Sequence, residues 1–182
     1  TELGFFRVDD QIYVQDNPHI QGFTSENVGF ILTEPYFANY SPLHLLSYTL
    51  DFSIGDLDPR VFHLSNHIWA GLVAWAVYAL AWVLLRSTWI AFGVALVFVF
   101  HPAHVEAVAW ISSRKDLVAA AFALPAMVFY LLYRRGGDRA RFFYVCSVVL
   151  FLFAIAGKLS VVVVPGILFV VDWFHDEENP WH

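Results

Sequence analysis

Cysteine is nearly missing from this chain of 182 residues, and the single one, Cys146, sits inside an apolar run. Neither a disulfide framework nor a thiolate metal site can be built within it. Charge is scarce as well: Asp, Glu, Lys and Arg make up 14% of the residues, against about 25% in soluble domains. Positive charge is in deficit, with a formal net charge of −6 contributed largely by the first sixty and the last seven residues. That balance describes loops and excludes nucleic acid as a partner. The first sixty residues also lack the basic start and short apolar core of a cleavable signal peptide. There is no initiator Met, and the chain stops at His182 just after a hydrophobic segment. The expectation is a fragment of a longer protein, inactive by itself.

What is present is apolar: 59% of residues are hydrophobic and 18% aromatic, which places the bulk of the chain in lipid. Val61 to Leu85 is long enough to cross a hydrocarbon core of roughly 30 Å. Thr88 to Phe100 would reach only about 20 Å as a helix before meeting His101, Pro102, His104 and Glu106. Leu117 to Tyr133 forms a third span, followed by a basic turn with Arg134, Arg135, Arg139 and Arg141. Phe142 to Ala156 and Leu159 to Val171, separated by Gly157 and Lys158, form either one long helix or a tight hairpin.

If one crossing separates each polar segment from the next, the N-terminal loop, the 101–116 segment and Lys158 share one face, while Arg86 and the arginine turn share the other. Lys and Arg number five on each face, and the four arginines packed into one turn place that turn in the cytoplasm. The reading is therefore an all-α, multi-pass integral membrane protein. Residues 1–60 form an external loop with interfacial helices, 61–175 the transmembrane bundle, and 176–182 a polar tail. Thr24 with Ser25, Glu26 and Asn27 reads as a helix cap, and Pro42 opens a second surface helix through Leu50.

Several residues can carry chemistry. Asp9 and Asp10 are adjacent carboxylates, a pattern that can supply a general base to an acceptor hydroxyl, although a solvated turn or cap uses the same residues. His101 and His104 are three apart, with Glu106 two further on; they can meet a metal or a phosphate, or cap a broken helix. No third metal ligand is identified by spacing. His63 and His67, four apart on the first span, invite the same metal reading, with packing or hydrogen bonding inside the bundle preferred. Arg114 and Lys115 at the start of the third span, with Lys158 returning to the same face, fit a phosphate or pyrophosphate, or else snorkel at the interface. A lone lysine between apolar runs must face a water-filled cavity or an anion.

The segments FRVDDQIYVQDNPHIQGFT, NYSPLHLLSYTLDF, FHLSNH, FHPAHVEAVAWISSRKDLVA and AGKLSVVVVPGILFVVDWF follow one another in the order of a known family. They resemble the membrane region of bacterial tetratricopeptide-repeat glycosyltransferase-like proteins, relatives of the TMTC protein O-mannosyltransferases. The resemblance covers nearly the whole chain and is most specific over HPAHVEAVAWISSRKD. It implies a GT-C transmembrane bundle whose first external loop carries the catalytic carboxylate, here Asp9 or Asp10. It further implies a polyprenyl-phosphate sugar as donor, and tetratricopeptide repeats downstream, none of which occurs in this chain. Asn39 to Leu43 stands where such enzymes carry a cation before Pro-Pro-Leu, which leaves phosphate binding to His44, Arg114 or Lys158.

The expected activity is transfer of a hexose, such as mannose, from polyprenyl phosphate to an acceptor hydroxyl, such as Ser or Thr of a protein. In that scheme His101, His104 and Glu106 shape the cavity, Arg114 and Lys158 hold the departing phosphate, and no cofactor or divalent metal is required. The partners are the lipid-linked donor, membrane lipid and an acceptor protein, at a bacterial inner membrane facing the periplasm or cell exterior. A transporter or flippase, in which buried His, Glu and Lys line a path, is the rival reading. A catalytically inactive scaffold is a third.

Overall fold

The computed structural model describes residues 4–5, 9–37 and 39–178, with side chains through residue 173. The end of the expected polar tail, residues 179–182, lies outside the described residues. Eight α-helices organise the chain: α1 (Ser25–Thr33), α2 (Pro42–Gly55), α3 (Pro59–Leu85), α4 (Thr88–Phe100), α5 (Val105–Ala109), α6 (Arg114–Arg134), α7 (Ala140–Gly157) and α8 (Val164–Glu178). The described residues contain no strand, only an isolated bridge between Tyr36 and Asn39. The fold is an all-α membrane helix bundle.

Local chemistry sets the helix ends. The Thr24 hydroxyl accepts from the Asn27 amide at 3.1 Å and starts α1. Pro42 occupies the first turn of α2, and Pro59 does the same in α3, where the Asp58 carboxylate accepts from the Arg60 amide at 2.9 Å. Arg86 ends α3 in the left-handed region at φ 54°, and Ser87 then caps α4. His101 is extended, as a residue before proline must be. The chain bends there by 56° between α4 and the segment Pro102–Ala109.

Helices α3, α6 with its preceding turn, and α7 are each long and apolar enough to cross a membrane, and the bent pair makes a fourth candidate. Their outer faces carry large apolar side chains, among them Trp89, 83% exposed, and Phe100, 79% exposed. Such surface is stable against hydrocarbon and not against water. The alternative between one long helix and a hairpin resolves as a hairpin. Lys158 is extended, and α8 runs back so that Asp172 meets Tyr130 and Arg134 at the far end of α6. At the other end Lys158 pairs with Asp116 of α6. The 101–116 segment and Lys158 therefore lie at one end of the bundle, and the arginine turn at the other.

The principal core lies at the Lys158 end, where Tyr13, Val14, Ile20 and Ile31 pack with Leu45 and Tyr48 of α2, Phe62 of α3 and Ile111. The described part of the first sixty residues is thus a folded cap on the helix ends. Helices α6 and α7 approach closely at Gly157, where a Cβ would stand 3.0 Å from the Ala119 amide nitrogen and 3.1 Å from its Cα. Replacement by valine should wedge α6 and α7 apart and displace Lys158, destabilising the protein by about 1–3 kcal/mol. Thermal unfolding in detergent, comparing Gly157→Val with wild type, measures this.

Candidate functional site

The paired acids open a wide helical turn over Gln11–Gln15, closed by the Asp16 amide donating to the Gln11 carbonyl at 2.8 Å. Asn17 fixes the exit from this turn: its amide donates to the Tyr13 carbonyl at 3.1 Å, and its side-chain oxygen accepts from the His19 amide at 3.0 Å. The two aspartates have different environments. Asp10 is fully buried, and one carboxylate oxygen accepts from both the Ser112 amide, at 2.8 Å, and the Ser112 hydroxyl. Asp10 therefore pins the N-terminal segment to the turn that leads into α6. Asp9 is half-buried, and its carboxylate has no hydrogen-bond partner among the described residues.

Arg114, expected to meet a phosphate, is placed elsewhere. Its guanidinium is fully buried and donates from Nε to Asn66 Oδ1 at 2.5 Å, and from its two terminal nitrogens to Asp51 Oδ2 at 2.5 Å and the Phe62 carbonyl at 2.7 Å. The Tyr48 ring covers it at 4.6 Å. A guanidinium with its donors engaged inside the protein binds helices together; it has no edge left for a ligand. Burial raises the Asp51 carboxyl above its ordinary range, opposed by the attraction of Arg114 and by hydrogen bonds from Arg114 and Ser65. Asn66 extends the knot by donating to the Val108 and Trp110 carbonyls, at 3.1 and 3.4 Å, which holds α5 on α3.

His44, the second expected phosphate ligand, is also enclosed. Its ring lies 4.4 Å from Tyr48 and 5.9 Å from Tyr13, centroid to centroid, and its Nε2 has no partner among the described residues. Burial, followed by the nearby charges of Arg114 and Lys115, holds its pKa well below 6.5. It packs as a neutral aromatic ring. His101 uses Nδ1 to accept from the Ala103 amide at 3.2 Å, capping the bend, and Glu106 is exposed in the first turn of α5. Neither lines a described cavity.

His104, by contrast, stacks on Phe98 at 3.9 Å and lines a cleft against α3. His63 and His67 line the same cleft, although sequence spacing pointed to packing. Among the described residues no three His, Cys, Asp or Glu side chains converge in a metal-holding group. Lys158 is two-thirds buried and paired with the more exposed Asp116, and Lys115 lies 5.6 Å over the Tyr13 ring. Among the described residues the cations of the capped end are thus Arg60, Lys115 and Lys158, with Arg114 withdrawn into the core.

This is a transmembrane helix bundle with a folded cap that brings a carboxylate, two lysines and a histidine-lined cleft to one end. Over its matched length the segment is homologous to the TMTC protein O-mannosyl-transferases. It is 32% identical to human protein O-mannosyl-transferase TMTC2 over 123 residues, covering 67% of this chain and 15% of that protein. It is 36% identical to Drosophila melanogaster Tmtc1 over 97 residues, 53% of this chain and 11% of that protein. With human TMTC1 the match is 29% over 192 residues, 94% of this chain and 21% of that protein. The chain thus spans between about a tenth and about a fifth of the length of these relatives. No protein-family model matches it, and no solved structure does either.

Two outcomes check these assignments. Arg114→Ala should destabilise the fold by about 3–5 kcal/mol, because it strands Asp51 in the core; the midpoint of chemical unfolding in detergent is the measurement. His44 titrates in the unfolded chain near 6.5 and much lower in the folded one. The unfolded state therefore binds more protons just below that pH, and stability should fall as pH drops from about 6.5. In His44→Phe, which keeps the ring, unfolding midpoints recorded from pH 7.5 to 5 should show a flatter profile than wild type.

Proposed function

We propose that this segment is the substrate-binding end of a GT-C glycosyltransferase. It transfers a hexose, such as mannose, from a polyprenyl phosphate to an acceptor hydroxyl, such as a protein Ser or Thr. The observation that carries the reading is the division between the adjacent acids: Asp10 binds Ser112, whereas the half-buried Asp9 carboxylate has no hydrogen-bond partner among the described residues. Homology to proteins named protein O-mannosyl-transferases supports a glycosyltransferase activity. Asp9 takes the proton of the acceptor hydroxyl as its oxygen attacks the anomeric carbon. The bond from that carbon to the phosphate oxygen breaks, the electron pair leaves with the phosphate, and the glycoside forms with inversion.

Lys158 and Lys115 offset the charge that grows on the departing phosphate. This scheme routes no step through a metal. Asp10 is a positioning residue, holding the turn that presents Asp9. The concentration of arginine at the opposite end supports a cytoplasmic location for that end, which puts the site on the external face, the periplasmic one in a bacterial inner membrane. The sixty-residue cap and the spanning bundle form one unit, with tetratricopeptide repeats in the rest of the protein as the module that meets acceptor proteins.

The test uses membranes containing the intact protein, supplied with labelled polyprenyl-phosphate hexoses. Asp9→Asn should lower transfer by roughly 100-fold or more with an unchanged unfolding midpoint. Asp10→Asn should lower the unfolding midpoint and transfer together, because it weakens the link to Ser112. Equal transfer by wild type and Asp9→Asn would overturn the assignment of the base, and no transfer by wild type with any donor would favour a transporter or scaffold.

A further inference from the structure

Three non-glycine residues among those described have positive φ: Phe37, Asp56 and Arg86. Asp56 and Arg86 end α2 and α3, where such a backbone is common. Phe37, at φ 47°, does not end a helix. Tyr36 and Asn39 exchange backbone hydrogen bonds of 3.0 Å in both directions, which makes a two-residue hairpin turn with Phe37 at its first position. Turns of this length need φ above zero there, and glycine, asparagine or aspartate normally supplies it. A phenylalanine is strained in the same place.

Burial does not offset that strain. The Phe37 ring is 59% exposed and meets the Tyr13 ring edge-on, with centroids 5.9 Å apart. The turn that carries it is fastened to the acidic segment, because the Tyr36 hydroxyl donates to the Ile12 carbonyl at 2.9 Å and the Tyr36 ring meets Tyr13 at 6.0 Å. Asp9 stands four residues before Tyr13 at the head of the same wide turn. The Lys115 ammonium lies 5.6 Å over the Tyr13 ring. An exposed aromatic in strained backbone thus borders the proposed base and one of the proposed phosphate-binding lysines. Strain of this kind gathers at ligand-binding and catalytic sites.

We infer that Phe37 contacts the substrate, as the apolar platform on which the hexose of the donor lies. The inference rests on the function proposed above, in which the hexose is held between the phosphate at Lys115 and Lys158 and the base at Asp9. A sugar ring has a face of C–H bonds, and the negative face of an aromatic ring attracts it. Phenylalanine offers no hydrogen bond, so it favours a hexose that turns its C–H face, and not a hydroxyl, towards the ring. The tight turn holds the ring in place beforehand, which keeps the ordering cost of binding low. The lysines meet the phosphate and Phe37 meets the sugar, so a carrier phosphate without its sugar engages the lysines and leaves Phe37 idle.

The test compares two probes on the intact protein in phosphatidylcholine nanodiscs: radiolabelled undecaprenyl phosphate, and the same carrier with mannose on its phosphate. Phe37→Gly should bind the mannosylated carrier about five- to ten-fold more weakly than wild type and bind the bare carrier unchanged. Its unfolding midpoint should be no lower, because glycine relieves the strain. Phe37→Asn, which also tolerates positive φ, should behave in the same way, and Phe37→Tyr should keep wild-type binding. Equal weakening for both carriers, or a lowered midpoint in both Phe37→Gly and Phe37→Asn, would make Phe37 a structural brace and overturn the inference. Unchanged donor binding with a raised KM for the acceptor would overturn it too, by moving Phe37 to the acceptor. The two proposals fail separately. Selective loss of the mannosylated carrier in Phe37→Gly, without transfer by wild type, defeats the transferase alone; wild-type transfer with an unchanged donor KM in Phe37→Gly defeats the platform alone.

Discussion

The buried pairing of Arg114 with Asp51 is the constraint on which the capped end of this bundle depends. A guanidinium removed from water needs an acceptor for each of its nitrogens, and here the acceptors come from α2, through Asp51, and from α3, through Asn66 and the Phe62 carbonyl. Arg114 itself opens α6. One side chain therefore fixes three helices relative to one another. Burying the two charges carries a desolvation penalty that their attraction only partly repays, so the pair contributes a defined arrangement more than net stability. Its geometry reaches the N-terminal segment by a short path, since Ser112, two residues ahead of Arg114, binds Asp10, and Asp10 is the neighbour of Asp9.

The rest of the cap is organised around this knot. The Tyr48 ring lies over the guanidinium while its hydroxyl donates to the Ile111 carbonyl at 2.6 Å, so α2 grips the turn before α6 from a second point. Burial raises the Tyr48 phenol pKa, which keeps that donor protonated. Asn66 couples α3 to the carbonyls of α5, and the cleft containing His104 lies beside this clamp. The spanning helices beyond the knot are held by ordinary packing of small residues, with Ala123 and Ala154 buried between α6 and α7. The fully buried charged pair lies at this end, while at the other Asp172 of α8 meets Tyr130 and Arg134 of α6, and the faces between the two ends carry large exposed apolar side chains.

Spanning helices, the broken helix at His101 and Pro102, the Thr24 cap and the helix start at Pro42 were legible in the sequence, because each rests on local pattern or on the behaviour of proline; the first span, read from Val61, begins two residues earlier at Pro59. The shared face of Lys158 and the 101–116 segment was legible from parity. The assignment of charges was not. Arg114 and Lys158 look alike in sequence, as cations flanking apolar runs, but the acceptor that consumes Arg114 lies 63 residues away at Asp51. Asp9 and Asp10 are neighbours, and what separates their roles is a contact across 102 residues to Ser112. The i, i+4 spacing of His63 and His67 was visible, but that they share a cleft with His104 follows from the bend between α4 and the segment Pro102–Ala109.

Withdrawal of Arg114 into the core changes the electrostatics available to a phosphate leaving group under the proposed chemistry. Lys158 sits on the break between α7 and the turn that leads to α8, with its backbone brought close to α6 by Gly157 and its ammonium held by Asp116. A lysine in a partly exposed ion pair is cheap to re-partner, since such a pair contributes little net energy. In the proposed chemistry the donor's monoanionic phosphodiester would compete for the ammonium with a single carboxylate, and would gain in that competition as its charge rises towards that of the departing monoester dianion. A fixed, saturated arginine could not respond in this way. The division therefore has a physical logic: the strongest cation, which cannot be deprotonated, builds the frame, and a partly exposed lysine is left at the place where the proposed chemistry would develop charge.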